Sequence, residues 1–296
     1  MQMSTIHFVI IAAIVAILPF AGSAGATDGA LKPFKDELFS KQTVIESHDN
    51  GAFETIDYQE MRDINGRDEI PERRVKGPYV SLGVRWKQQD QTLTLGDRKV
   101  DVSRTGLDAK QAFTVIFIHG RGGDRRLGSN DYTFGGNFNR LKNLAVDNGG
   151  TYYAPSVKTF DSDGVADIAA LIRYSYEQSG GKPVILTCGS MGSFICWGIT
   201  RDGESVKRLK GMAILSGVTD PDFTKSVFYK SKLPLWFAQG SRDPVYPPAA
   251  QEALFEQLYK GGYPTRFTLY QTGNHGTPIR MTDWRKMLNW ILATSR

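Results

Sequence analysis

Hydrophobic and polar positions fall into two textures along the chain. Between Leu31 and about Gln111, short apolar stretches alternate with turn residues. Val44–Ser47 and Phe53–Tyr58 flank Asn50-Gly51, a strong hairpin signal. Leu93–Leu95 and Val100–Val102 flank Gly96-Asp97 in the same way, and Asn65-Gly66 reads as a further turn. These segments are expected to be antiparallel strands at the N-terminal side of a mixed sheet. From Phe113 onward, solidly apolar strands alternate with helical periodicity. Strands are predicted over Thr114–Ile118, Thr151–Ala154, Val184–Leu186, Met212–Leu215, Leu233–Ala238 and Arg266–Tyr270. Helices are predicted over Gly136–Asp147, around Val165, Ile168, Ala169 and Ile172, after Pro247-Pro248, and through Met281, Trp284, Leu288 and Ile291. Strictly alternating strands and helices imply an α/β architecture, a mostly parallel sheet with helices on both faces. No repeat or linker divides the chain.

The first residues stand apart. Phe8–Phe20 is apolar throughout but shorter than the roughly 20 residues a membrane-spanning helix needs. Ala24-Gly25-Ala26 follows as an A-x-A cleavage pattern. Residues 1–26 therefore read as a secretory signal peptide, although no Lys or Arg precedes the apolar run. An uncleaved anchor is the alternative. The organisation expected is a leader over 1–26 and one domain over 27–296. The protein is expected to be exported, periplasmic or secreted from a bacterium, with no stable membrane anchor.

Composition adds limits. The 296 residues, 41% apolar and 23% charged, suffice for one large globular core. The net charge of +5 is spread along the chain rather than blocked, which argues against a nucleic-acid partner. Cys188 and Cys196 are the two cysteines. With a helix running from Gly192, their Cα atoms are expected beyond the roughly 7 Å reach of a disulfide, so no bridge is expected.

The candidate chemistry centres on Pro183–Ile199. An apolar strand, Val184–Leu186, runs into small residues around Ser190 and then into a buried helical pattern. Strand, tight turn and helix with a serine at the bend is the layout of a nucleophile elbow. Gly192 occupies the position two after the serine, and Cys188 stands where the first glycine is usual. At these residues the sequence resembles the serine hydrolases of the α/β-hydrolase fold, and the resemblance extends from about Thr114 to the C-terminus.

That resemblance implies a Ser-His-Asp constellation in the chain order serine, acid, histidine. A serine hydroxyl needs a neighbouring base, and histidine suits near-neutral pH. Of the four histidines, His275 lies between the last strand and the last helix, where the family places its base. Asp243, in Gly240-Ser241-Arg242-Asp243-Pro244-Val245, resembles the family's acid, with Asp220 or Asp222 as fallback. The oxyanion donors implied are the amides of Met191, directly after the serine, and Arg121. Arg121 lies in His119-Gly120-Arg121-Gly122-Gly123, similar to the His-Gly loop of carboxylesterases and lysophospholipases. His119 reads as a structural hydrogen-bonder.

Competing readings are weaker. The glycine-rich loop lacks the Gly-Lys-Ser/Thr of a P-loop, and Arg125 replaces the third glycine of a dinucleotide fingerprint. No cluster has metal-ligand spacing, and no cofactor is expected. Arg121, Arg125 and Arg126 cluster near the presumed site and are either solvated or matched to an anionic substrate group. The segment 216–232 leaves no room for a large lid. The reading is an exported hydrolase of small-molecule or lipid carboxylic esters. A non-catalytic binding protein on the same scaffold, or a peptidase or thioesterase of that fold, is the alternative. Oligomeric state is not legible.

Overall fold

The computed structural model of the chain describes residues 30–294, and the leader assigned to residues 1–26 lies outside them. The strands in chain order are β1 Val44–His48, β2 Phe53–Ile56, β3 Asp68–Glu69, β4 Arg74–Val75, β5 Gln88–Leu95 and β6 Arg98–Gly106. They continue as β7 Thr114–Ile118, β8 Thr151–Pro155, β9 Val184–Gly189, β10 Leu209–Leu215, β11 Leu235–Gly240 and β12 Thr265–Tyr270. The helices are α1 Asp36–Phe39, α2 Glu60–Arg67, α3 Arg125–Ser129, α4 Asn137–Asp147, α5 Ser162–Gln178 and α6 Gly192–Ile199. The remainder are α7 Gly203–Arg208, α8 Val227–Lys230, α9 Pro248–Lys260, α10 Thr277–Met281 and α11 Trp284–Ala293.

Ten strands form one sheet in the order β1-β2-β12-β11-β10-β9-β7-β8-β6-β5, and β3-β4 is a separate ribbon. The six pairings from β8 through β7, β9, β10, β11 and β12 to β2 are parallel. The outer pairings β1–β2, β5–β6 and β6–β8 are antiparallel. The architecture is thus the mixed, mostly parallel α/β sheet that the alternating pattern predicts. The two N-terminal hairpins do not stay together. β5–β6 takes one edge, while β1–β2 crosses to the other and pairs with the last strand. Phe53 lies opposite Phe267 there, with rings stacked at 5.0 Å.

Period-two alternation decides which core each central residue joins. Ile116, Ile118, Met212 and Ile214 pack with α5, α6 and α9 on one face. Val115, Phe117, Ala213 and Leu215 pack with α4, α10 and α11 on the other. Burial on both sides explains why β7, β9 and β11 carry no solvent-facing residue at all.

Local signals set several boundaries. Asp161 caps α5 by accepting from the Asp163 and Gly164 amides, and Gly180-Gly181, both at positive φ, follow its end. Asn65-Gly66 is not a turn but part of the last turn of α2. The strand that follows, β3, pairs with β4 beyond it rather than back across Asn65-Gly66. The Arg67 side chain is buried over the Phe39 ring at 5.0 Å and donates to the Arg280 carbonyl. The C-terminal helical pattern is also split. Met281 ends α10, and Asp283 starts α11 by accepting from the Lys286 amide.

The parallel arrangement delivers the ends of β7, β9, β11 and β12 to a single edge of the sheet. Ligands of open α/β sheets bind outside that carboxyl edge. Between β10 and β11 the chain forms only a single 3-10 turn and the four-residue α8, so no lid domain is inserted there.

Candidate active site

Ser190 follows β9 directly and has φ of 52°, in the left-handed region. A non-glycine residue pays strain of about 1–3 kcal/mol there. The bend is held by its surroundings: the Ser190 amide donates to the Leu215 carbonyl at 3.0 Å, and its carbonyl accepts from Ser193 Oγ at 2.7 Å. Two glycines make the close approach possible. A Cβ on Gly192 would stand 2.6 Å from the Ile118 carbonyl oxygen, and one on Gly120 would stand 2.7 Å from Ser190 Cβ. Strand, loop and helix thus close on the serine only because these two positions lack a side chain.

Cys188 and Cys196 form a disulfide with Cα atoms 6.3 Å apart, contrary to the expectation of two separate thiols. The expectation neglected the reversal at Ser190. The chain climbs about 3.3 Å per residue along the strand and returns about 1.5 Å per residue along α6. Four residues into the helix, Cys196 has come back to the level of Cys188. Both sulfur-bearing side chains are fully buried in the same core.

Ser190, His275 and Asp243 are brought into one hydrogen-bonded row. His275 Nε2 lies 2.8 Å from Ser190 Oγ, and His275 Nδ1 lies 2.8 Å from Asp243 Oδ2. With the proton on Nδ1, the imidazole donates to the carboxylate and accepts from the serine hydroxyl. Asp243 side-chain atoms are wholly shielded from solvent. Its Oδ1 accepts from the Val245 and Tyr246 amides at 2.8 and 3.1 Å, and Oδ2 also accepts from Gln239 Nε2 at 2.9 Å. Burial opposes ionisation, but the His275 hydrogen bond and the two amides outweigh it and leave the Asp243 carboxyl below its ordinary value.

The loops carrying acid and histidine are tied to each other and to the body. The Arg242 amide donates to the Gly273 carbonyl at 2.8 Å, and the Thr272 amide to Ser241 Oγ at 2.8 Å. Helix α10, which follows His275, is anchored by Asn137 Nδ2 on the Ile279 and Thr282 carbonyls and by the buried pair Arg280–Asp68 at 2.8 Å.

The other candidates serve elsewhere. Asp220 pairs with Arg201 at 2.8 Å and Asp222 with Lys225 at 2.7 Å, so neither fallback acid meets His275. His119 Nδ1 donates to the Gly120 carbonyl at 2.7 Å, and Nε2 accepts from the Val157 amide at 2.9 Å. Burial pushes its pKa down, against smaller raising effects of Gly120 and Asp124. His48 pairs with Asp49 at the end of β1. Arg125 faces Asp90 at 3.8 Å, and Arg126 pairs with Asp124 at 2.6 Å.

Arg121 and Met191 line a cavity of about 400 Å³ that opens onto Ser190 and His275. Neither of their amides donates to another group among the described residues. Leu127, Phe134, Val245 and Ile279 supply apolar walls, and Tyr246 sets its ring edge-on to His275 with centroids 5.7 Å apart. These wall residues, and Gln239 behind the acid, were not singled out from sequence. Leu127 and Ile279 lie on the short helices α3 and α10, Phe134 on a 3-10 turn, Val245 and Tyr246 on the loop after β11 and Gln239 inside β11, and apart from Val245, which closes the acid-loop pattern, no local pattern marks them. Among the described residues no group of His, Cys, Asp or Glu side chains could hold a metal ion, and no helix is long and apolar enough to cross a membrane.

A parallel sheet of this strand order, with a strained serine at the bend after β9 and acid and histidine loops after β11 and β12, has the α/β-hydrolase fold. Solved structures agree. The chain is similar to a thermostable esterase (TM-score 0.55, 17% identity), covering 72% of this chain and 64% of that one. It thus spans somewhat less than two thirds of that esterase. It is also similar to a lidless α/β serine hydrolase from Xanthomonas campestris (TM-score 0.51, 16% identity, 71% of this chain and 97% of that one). A propionate-bound esterase from Thermogutta terrifontis matches with TM-score 0.50 and 12% identity over 71% of this chain and 97% of that one. No protein-family model and no curated protein matches the sequence.

Proposed function

We propose that the protein is a serine hydrolase that cleaves carboxylic esters through an acyl-enzyme on Ser190. The observation that carries this reading is the row from Ser190 Oγ through both His275 nitrogens to Asp243, with both links at 2.8 Å, opening into an apolar cavity. His275 Nε2 takes the hydroxyl proton as Oγ adds to the ester carbonyl. Asp243 fixes the tautomer and balances the imidazolium that forms. The Arg121 and Met191 amides, having no other acceptor among the described residues, are suited to receive the developing oxyanion. His275 then protonates the departing alkoxide, and water, deprotonated by the same nitrogen, releases the acid. A volume of about 400 Å³ lies toward the small end of ligand sites, about 300–1,000 Å³, and favours short esters over long-chain lipids.

A fluorophosphonate probe is the direct test. It is expected to label the wild type at one serine and to leave Ser190→Ala unlabelled, with hydrolysis of 4-nitrophenyl butyrate lost in parallel. A folded wild type that neither labels nor turns over esters, thioesters or amides would leave the binding-protein alternative.

We further propose that the protein is exported. The leader pattern of residues 1–26 supports this, and so does the disulfide, since such bridges persist in oxidising compartments. Expression of the full chain in a bacterium should yield a periplasmic or secreted product whose mass lacks the leader. Accumulation of uncleaved chain in the cytoplasm would contradict export.

A further inference from the structure

Besides the hydrogen-bonded row, two residues with polar side chains line the cavity, the exposed Arg121 and the half-buried Tyr246. Neither guanidinium nor phenol hydroxyl has a hydrogen-bond or ion-pair partner among the described residues. This sets Arg121 apart from its neighbours Arg125 and Arg126, each of which faces an aspartate. The two groups lie near one another. Burial and the Asp243 charge push the Tyr246 phenol above its ordinary value, and the Arg121 charge works in the opposite direction. The phenol is therefore a neutral hydrogen-bond donor at ordinary pH, beside a permanent cation. The rest of the wall is mostly apolar, no carboxylate is among the lining residues, and Asp243 behind it bonds His275. Arg121 also contributes the backbone amide assigned to the oxyanion. A group bound by its guanidinium thus lies within one side chain's reach of the reacting carbonyl.

We propose that the preferred substrates are short esters carrying one additional carboxylate, held by the Arg121 guanidinium and the Tyr246 hydroxyl. One cation with no ion pair among the described residues can balance one negative charge, and the planar fork of arginine matches a carboxylate. This rests on the ester-hydrolase reading above and deepens it. The carboxylate stays intact during the reaction. Its role is to orient the neighbouring ester against Ser190, so it contributes to kcat/KM rather than to the chemistry itself.

Matched substrates test it. One pair places the charge on the acyl side, monomethyl glutarate against methyl 4-carbamoylbutanoate. The other places it on the alcohol side, 4-acetoxybenzoate against 4-acetoxybenzamide. In at least one pair the wild type is expected to favour the anion in kcat/KM by about tenfold, the scale of one charge-assisted hydrogen bond. That ratio should shrink toward one in about 1 M salt, where the Debye length is about 3 Å. Arg121→Met should abolish the ratio and Arg121→Lys should keep part of it. Because the ratio is taken within one variant, any general loss of activity cancels. Equal or poorer hydrolysis of the anion in both pairs, or a preference that Arg121→Met retains, would overturn the proposal. If the neutral esters are cleaved and the fluorophosphonate labels Ser190, such a result removes the carboxylate preference alone. If neither occurs, the ester-hydrolase reading fails with it.

Discussion

Cys188 and Cys196 are covalently joined across the bend that carries Ser190, one on the strand before it and one on the helix after it. Cys188 stands where the elbow pattern usually has glycine. The small residue that permits the close approach of strand and helix here also locks it. Closing a short loop removes roughly 2 kcal/mol of unfolded-state entropy. Both half-cystines are buried, so reductant should reach them only after the chain opens.

The bridge predicts a thiol titration. No free thiol should appear in the denatured, unreduced protein, and two should appear after reduction. Cys188→Ala/Cys196→Ala is expected to lower the unfolding free energy in urea by roughly 2 kcal/mol. Free thiols in the unreduced protein would show the two cysteines unbridged in solution.

Asp243→Asn is expected to reduce kcat on a neutral ester by about 10⁴-fold while the circular dichroism spectrum is retained. Every partner of this carboxylate is a donor: the Val245 and Tyr246 amides, Gln239 and His275. An amide group would turn an N–H toward donors on one side or the other, and His275 would lose the tautomer that accepts from Ser190. Retention of more than about a tenth of kcat would remove Asp243 from its orienting role.

Gly120→Ala should lower kcat/KM by about 10²-fold, the cost of displacing reacting groups by about an ångström. The added methyl would meet Ser190 Cβ at 2.7 Å, and neither atom can rotate away. Fluorophosphonate labelling of Ser190 is expected to slow in parallel. Normal labelling and turnover in the alanine variant would show that the loop can shift without cost to the site.

His119 makes stability depend on pH. Its buried ring accepts at Nε2 and donates at Nδ1, an arrangement that only the neutral form provides. Its folded pKa lies below the ordinary 6.5. Just below pH 6.5 the unfolded chain therefore binds the proton and the folded one does not, so stability falls as pH drops through this window. Urea midpoints measured between about pH 5 and 8 should decline on the acid side in the wild type, and less steeply in His119→Asn. That variant should also be less stable at neutral pH by about 1–2 kcal/mol, since the Val157 amide loses its acceptor. An identical pH slope in both proteins would exclude His119 as the source.

Much of the architecture is written locally. Solid runs such as Val115–Ile118 and Val184–Leu186 are buried on two faces because their residues are apolar on both sides of the pleat. Asp161 and Gly180-Gly181 bound a helix through their own hydrogen bonding and dihedral freedom. The bend at Ser190 needs small neighbours, and those neighbours are visible in the chain. Order and context likewise single out Ser190, Asp243 and His275. What local pattern does not encode is which distant groups become neighbours. Only the tertiary packing decides that the ends of β9, β11 and β12 share one edge, that the first hairpin lies beside the last strand, and that Arg67 at the end of α2 meets Phe39 and Arg280. The disulfide, the place of Arg121 beside the cavity and the walls from Phe134 and Tyr246 have the same origin. Each depends on the angle and direction in which finished elements pack, and those are set by the burial of the whole core rather than by any one segment.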